Sequence, residues 1–268
     1  MNDWDVAGDH RTLEVARRGG AVRIVLDRPQ VLNAFDQTLS LELLALLGEL
    51  AADDGVRSVL ITGSGRAFSA GADIKSQFSG DAAPDVEAGL EEETNPTIMA
   101  LREMPKPVIA AVNGPAAGVG CSIALACDLV VASEAAYFLL AFANIGLLPD
   151  GGATLTVPAR VGLSRAFTMA LLAERVPAPE ALSWGLIDRV CAPEELAEVT
   201  EALALRLAAG PTRSYAAIKR AINASALGGL PAQLKLEGQL QGELARSADF
   251  AEGVAAFTAK RPAAFKGA

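Results

Sequence analysis

The alternation of apolar and polar positions changes character along the chain. Thr12-Leu13-Glu14-Val15 and Ala21-Val22-Arg23-Ile24-Val25-Leu26 read as two strands joined at Gly19-Gly20, a hairpin. Leu39, Leu43, Leu46 and Leu50 recur at helical spacing, which predicts an amphipathic helix from Asp36 to Ala52, closed by Asp53-Asp54-Gly55. Val59-Leu60-Ile61-Thr62 and Lys106 to Val112 are continuous apolar runs of the kind found in buried strands, and Asp128 to Ala132 is a third. A helix is predicted from Gly118 to about Ala126. Residues Gln77 to Glu93, rich in Gly, Ala and acid, read as a mobile loop running into a helix. From Pro149 onward strand signals fade. Helical patterns follow at Ala166 to Leu172, Glu194 to Ala208, Pro211 to Ala224, Leu234 to Leu244 and Asp249 to Thr258. In the fourth of these, Leu236, Leu240 and Leu244 form the apolar stripe. No strict repeat is visible, although strand-strand-helix units recur before residue 150.

Composition narrows the class. The chain has 268 residues, 51% hydrophobic and 21% charged, enough for a large core and unlike a disordered chain. A formal net charge of -9 argues against general nucleic-acid or anionic-membrane binding. Cys121, Cys127 and Cys191 have neither metal-ligand spacing nor a disulfide framework, which reads as a reducing cytosol. The start of the chain is polar and acidic, unlike a signal peptide, and no apolar run approaches a membrane span. One histidine, His10, lies in a polar N-terminal stretch, so histidine triads and histidine metal sites are not expected.

The candidate chemistry sits in two glycine-rich turns. Ala67-Phe68-Ser69-Ala70-Gly71-Ala72-Asp73-Ile74-Lys75 follows one buried strand. Val112-Asn113-Gly114-Pro115-Ala116-Ala117-Gly118-Val119-Gly120 follows the next. Small residues let main-chain N–H groups approach a ligand, and two N–H groups aimed at one point stabilise charge on a carbonyl oxygen. By pattern alone, tight strand-to-helix turns with no ligand explain these glycines equally well.

Taken in order, these motifs resemble the crotonase superfamily, the enoyl-CoA hydratases and isomerases. The resemblance runs from Arg28-Pro29 with Asn33-Ala34-Phe35, through Phe68 to Lys75, Lys106-Pro107, Asn113-Gly114 and Ala117 to Gly120. It continues in Ala126-Cys127-Asp128, Ile145 to Gly152, and Trp184-Gly185-Leu186-Ile187-Asp188. It implies an α/β fold: a spiral of ββα turns over residues 1–195, then an all-helical C-terminal region, 196–268, that packs on neighbouring subunits to build homotrimers or hexamers. It implies an acyl-CoA substrate, a soluble cytoplasmic enzyme, and no permanently bound cofactor or metal, coenzyme A entering as part of the thioester. By position, the oxyanion donors are the amides of Ala72 and Val119. Asn33, Ala34, Phe35, Ala70, Asp73, Ile74 and Lys75 line the coenzyme channel, and Phe257 and Lys260 reach a neighbour's coenzyme. For the two lysines, an ordinary solvated position is the rival reading.

The positions of the two hydratase glutamates hold Ser122 and Phe142. Neither side chain replaces a carboxylate acid–base pair. Asp150, in Pro149-Asp150-Gly151-Gly152, stands where isomerases of the superfamily carry an acid. Without the resemblance, a helix N-cap is the commoner use of such an aspartate. With it, Asp150 is expected to shuttle a proton between two carbons of an enoyl chain, against an apolar wall of Leu140, Phe142 and Leu148. Rivals are a hydratase with an acid supplied by Glu91, Glu92 or Glu93, and an acyl-CoA binder without chemistry. A lone aspartate is also compatible with opening an epoxide on an aromatic acyl-CoA.

Overall fold

The computed structural model describes residues 4–74 and 85–268. The expected hairpin forms as β2 (Leu13–Arg18) and β3 (Ala21–Leu26), with β1 (Asp5–Val6) added at its edge. From β3 onward the large sheet is parallel: β3, β4 (Ser58–Gly63), β5 (Val108–Val112), β7 (Leu129–Ser133) and β10 (Arg189–Cys191) lie side by side. A smaller sheet joins β6 (Ala116–Ala117), β8 (Tyr137–Leu139) and β9 (Val176–Pro177). Single bridges extend that smaller layer, pairing Ser69 with Ala116 and Phe35 with Ala72. Each pass of the chain therefore lays one strand in the large sheet and a short extended segment in the small one, then returns. That is the expected spiral of strand-strand-helix turns.

Both faces of the large sheet are covered. In β4, Val59 and Ile61 point into the core shared with helix α1 (Gln37–Ala52), while Leu60 joins Ile109, Val131, Leu196 and Ala204 in the opposite layer. Asp36 caps α1 through the Leu39 amide, at the predicted start. The segment after the first glycine turn enters α2 (Val86–Gly89), a π-helical turn (Leu90–Thr94) and α3 (Asn95–Glu103). Of the predicted loop, 77–84 lies outside the described residues, as does Lys75. Helix α4 (Val119–Ala126) is buried along its whole length.

After Pro149 the structure departs from the sequence reading. Helix α5 (Ala153–Leu172) starts thirteen residues before Ala166. Pro158 and a non-helical Gly162, φ 76°, interrupt its period and hide the first half. The strands β9 and β10 have two and three residues, too few to show an alternation of period two. Helix α6 (Ala178–Trp184) lies between them.

The C-terminal helices are α7 (Leu196–Ala208), α8 (Thr212–Ala226), α9 (Leu230–Leu244) and α10 (Ala248–Thr258). Each of them packs on its own chain. Helix α7 lies on the large sheet and shares its second core. Helix α8 meets α3, α9 rests on α2 and α5, and α10 on the 3-10 turn at 141–145. The stripe of Leu236 and Leu240 faces outward, at 44% and 37% exposure. The buried face of α9 is Leu230, Leu234, Glu237, Gly238, Gln241 and Gly242. Among the described residues, no helix is long and apolar enough to cross a membrane.

Candidate active site

The two glycine turns touch. Ala117 N–H donates to Ser69 O at 2.9 Å, setting the strand ends in register. On the other side Phe35 N–H donates to Gly71 O and Asp73 N–H to Phe35 O, both at 2.8 Å. In an extended segment successive amides point to opposite edges. With Gly71 O turned to Phe35, the Ala72 N–H of the same peptide points away from Phe35. Gly71 has φ 96° and Gly118 φ 52°. A Cβ on Gly71 would lie 2.9 Å from Ala117 O and 3.4 Å from Gly118 Cα, so side chains are excluded at the contact. Gly118 turns the chain into α4 without a side-chain cap, leaving the first-turn amide of Val119 free. Among the described residues neither the Ala72 nor the Val119 N–H has an acceptor.

Ser122 lies one helical turn along α4 from Val119 and makes the link to Asp150. The Ser122 hydroxyl donates to the Asp150 main-chain O at 2.7 Å. A Cβ on Gly151 would sit 2.9 Å from Ser122 Cβ. The Asp150 carboxyl is buried, at 7% exposure. Its Oδ2 accepts from Gln241 Nε2 at 2.8 Å, and its Oδ1 has no partner among the described residues. Burial pushes its pKa up to about 7. The Gln241 bond opposes the rise and the nearby Glu237 charge adds to it.

The cap that could have occupied Asp150 comes from elsewhere. Helix α5 has Gly152 at its N-cap, and the acceptor for its first amides is Glu237 of α9. Glu237 Oε2 accepts from Gly152 N–H at 2.7 Å, and Oε1 from Thr154 N–H at 3.0 Å and from Thr154 Oγ1 at 2.5 Å. Burial raises the Glu237 pKa while these donors hold it down. Sequence reading missed Glu237 and Gln241. The available signal was two polar side chains four residues apart on one face of α9, off the leucine stripe.

The other sequence candidates divide. Ala34 and Phe35 are buried beside the Ala72 bridge, Ala70 is exposed, and Ile74 is half-buried next to Asp73. Asn33 is fully buried, with φ 55°. Its amide donates to Ser64 O and Ala67 O at 2.9 and 2.8 Å and accepts from Arg28 N–H at 2.9 Å. The Asn33 side chain thus ties two loops together. Asp73 pairs with Arg28 at 3.1 Å, and Arg28 also holds Asp36. Phe142 is buried in the core. Phe257 and Lys260 stand exposed at the end of α10, Lys260 with φ 52°. Glu91 and Glu92 face solvent, and Glu93 accepts from Gln37 at 3.3 Å. Two clefts of about 440 and 720 Å³ flank α8 and contain none of these groups.

The match to known proteins follows the same layout. The enoyl-CoA hydratase/isomerase family model matches residues 16–268. The chain belongs to the enoyl-CoA hydratase/isomerase family. A "probable enoyl-CoA hydratase" of Rhodobacter capsulatus is 44% identical over 96% of this chain and 99% of its own length. The "1,2-epoxyphenylacetyl-CoA isomerase" of Escherichia coli is 41% identical over 92% of this chain and 95% of its own. Among solved structures, an enoyl-CoA hydratase from Mycobacterium avium subsp. paratuberculosis superposes with a TM-score of 0.88 at 41% identity, covering 96% of this chain and all of that one. Relatives in this family are thus named for both water addition and isomerisation.

Proposed function

We propose that the protein is an enoyl-CoA isomerase with Asp150 as its proton carrier. The observation that carries this reading is the state of that carboxyl: buried, excluded from capping, with one oxygen bonded and the other free. In a 3-enoyl thioester the Asp150 carboxylate takes a proton from the carbon next to the carbonyl. The electron pair of that C–H bond moves into a dienolate whose charge rests on the thioester oxygen. The Ala72 and Val119 amides donate to that oxygen, each such donor typically contributing about 3 kcal/mol. The neutral carboxyl then returns the proton at the far end of the dienolate, giving the 2-enoyl thioester and restoring the carboxylate. A pKa near neutrality suits a group that must both take and give a proton.

Hydration finds less support. Ser122 is engaged with Asp150 O, Phe142 is apolar and buried, and Glu91 to Glu93 point to solvent or to Gln37. Glu237 is a second buried carboxylate, but both its oxygens already accept bonds. Epoxide ring-opening on an aromatic acyl-CoA needs a lone acid as well, and the 41% identical relative bears that kind of name. Asp73, Ile74, Ala70 and the main chain of 33–35 surround the Ala72 amide and are the proposed coenzyme contacts, with Lys75 and the neighbour-reaching Phe257 and Lys260. The proposed assembly is a homotrimer or hexamer in the cytoplasm.

The test is incubation with a 3-enoyl-CoA in deuterium oxide. Growth of the 2-enoyl absorbance is expected, with deuterium entering the acyl chain only to the extent that the carboxyl exchanges its proton with solvent before returning it. Binding of acyl-CoA with neither isomerisation nor exchange at any chain length would leave a binder, and loss of 2-enoyl absorbance through water addition would make it a hydratase.

A further inference from the structure

The buried face of α9 holds a residue that the reaction above does not use. Gln241 is fully buried, and its amide meets three groups. The nitrogen donates to Leu148 O at 2.9 Å and to Asp150 Oδ2 at 2.8 Å, and the oxygen accepts from Leu148 N–H at 3.3 Å. The two main-chain bonds fix the amide's orientation. A flipped amide would set oxygen against Leu148 O and nitrogen against Leu148 N–H. A donor therefore always faces Oδ2, and Oδ1 is left as the carboxyl's free oxygen.

We propose that Gln241 is the positioning residue of the proton carrier, holding the Asp150 carboxyl by one oxygen so that the other stays available to the acyl chain. The inference rests on the isomerase reading. It also makes α9 part of the active site of its own chain. A donor on Oδ2 favours the charged carboxyl. Among the described residues, the charged group acting on Asp150 is Glu237, also on α9. The α4 helix presents Ser122 beside Gly151, and the 90–94 turn presents Thr94, neither of them charged.

The experiment compares Gln241→Met, Gln241→Glu and Asp150→Asn with the unaltered protein, by pH profiles of kcat and kcat/KM on a 3-enoyl-CoA and by calorimetric binding of coenzyme A. For Gln241→Met, which keeps the volume and removes the donor, kcat at pH 7 is expected to fall about 10- to 100-fold, with KM and coenzyme affinity within about twofold. The acid limb of kcat/KM moves to higher pH, so the deficit narrows at pH 9. Gln241→Glu, which replaces the donor with a second acid, moves the limb further. A residue that only fills the core would lower the melting temperature and leave the limb in place. Unchanged kcat and an unmoved limb in either folded Gln241 variant, with Asp150→Asn inactive, would overturn this proposal alone. Full activity of Asp150→Asn would remove the proton carrier and this role with it.

Discussion

At the scale of single residues, the proposed chemistry rests on Asp150, and its environment bears on both activity and stability. An acid taken from an ordinary pKa of 3.8 to about 7 is neutral in the fold where the unfolded chain holds it ionised. Between about pH 4 and pH 7 the unfolded state then binds fewer protons, so the protein loses stability as pH rises through this window, and the loss is complete above pH 7. In the proposed reaction activity runs the other way, because there the carboxylate is the base: kcat/KM is expected to rise toward pH 7 and level off above it. Asp150→Asn separates the two. It is expected to lower kcat by about 10³-fold or more while coenzyme binding holds. Its melting temperature should exceed that of the unaltered protein at pH 8 and match it at pH 4. Unchanged turnover in a coupled assay, or equal melting curves at pH 8, would refute the assignment.

At the scale of elements, the decisive contact is between α9 and the start of α5. A helix leaves its first amides unpaired, and at α5 a glutamate from a distant helix supplies the acceptor. Glu237→Ala strands Gly152 and Thr154 in a buried setting. The expected cost is about 2 kcal/mol or more in urea unfolding. Because Asp150 lies just before that cap, turnover should fall as well. A stability change under about 0.5 kcal/mol would mean that water replaces the carboxylate. The glycine contact at 71 and 118 is the other structural joint. It brings two separate strand ends into contact, and only the absence of side chains permits the approach.

At the scale of the whole molecule, the C-terminal helices cover the chain's own core and still leave apolar faces open. Leu163, Phe167 and Leu171 form a stripe along α5, at 68%, 59% and 70% exposure, and Ile218 and Ile222 another along α8. Stripes of this kind mark association surfaces. Sedimentation is expected to give a trimer or hexamer. Phe167→Asp with Leu171→Asp should yield smaller species, and a monomeric mass for the unaltered protein would refute the assembly.

The sequence by itself determined the frame. Buried strands carry continuous apolar runs because both sheet faces are covered, so β4, β5 and β7 were legible. Glycines at 71 and 118 marked turns because a close approach needs them. Asp150 stood out because both alternative acids were replaced. Only the tertiary structure decided which partner each group has. Whether Asp150 caps a helix or stays free depends on Glu237, eighty-seven positions away in the chain. Asn33 became a loop tie because its neighbours at 64 and 67 fold against it. The Leu236 and Leu240 stripe marked the helix, but its outward direction was not legible for the same reason. Helical period shows that a face exists, but which face is buried depends on the partners that the rest of the fold brings to it.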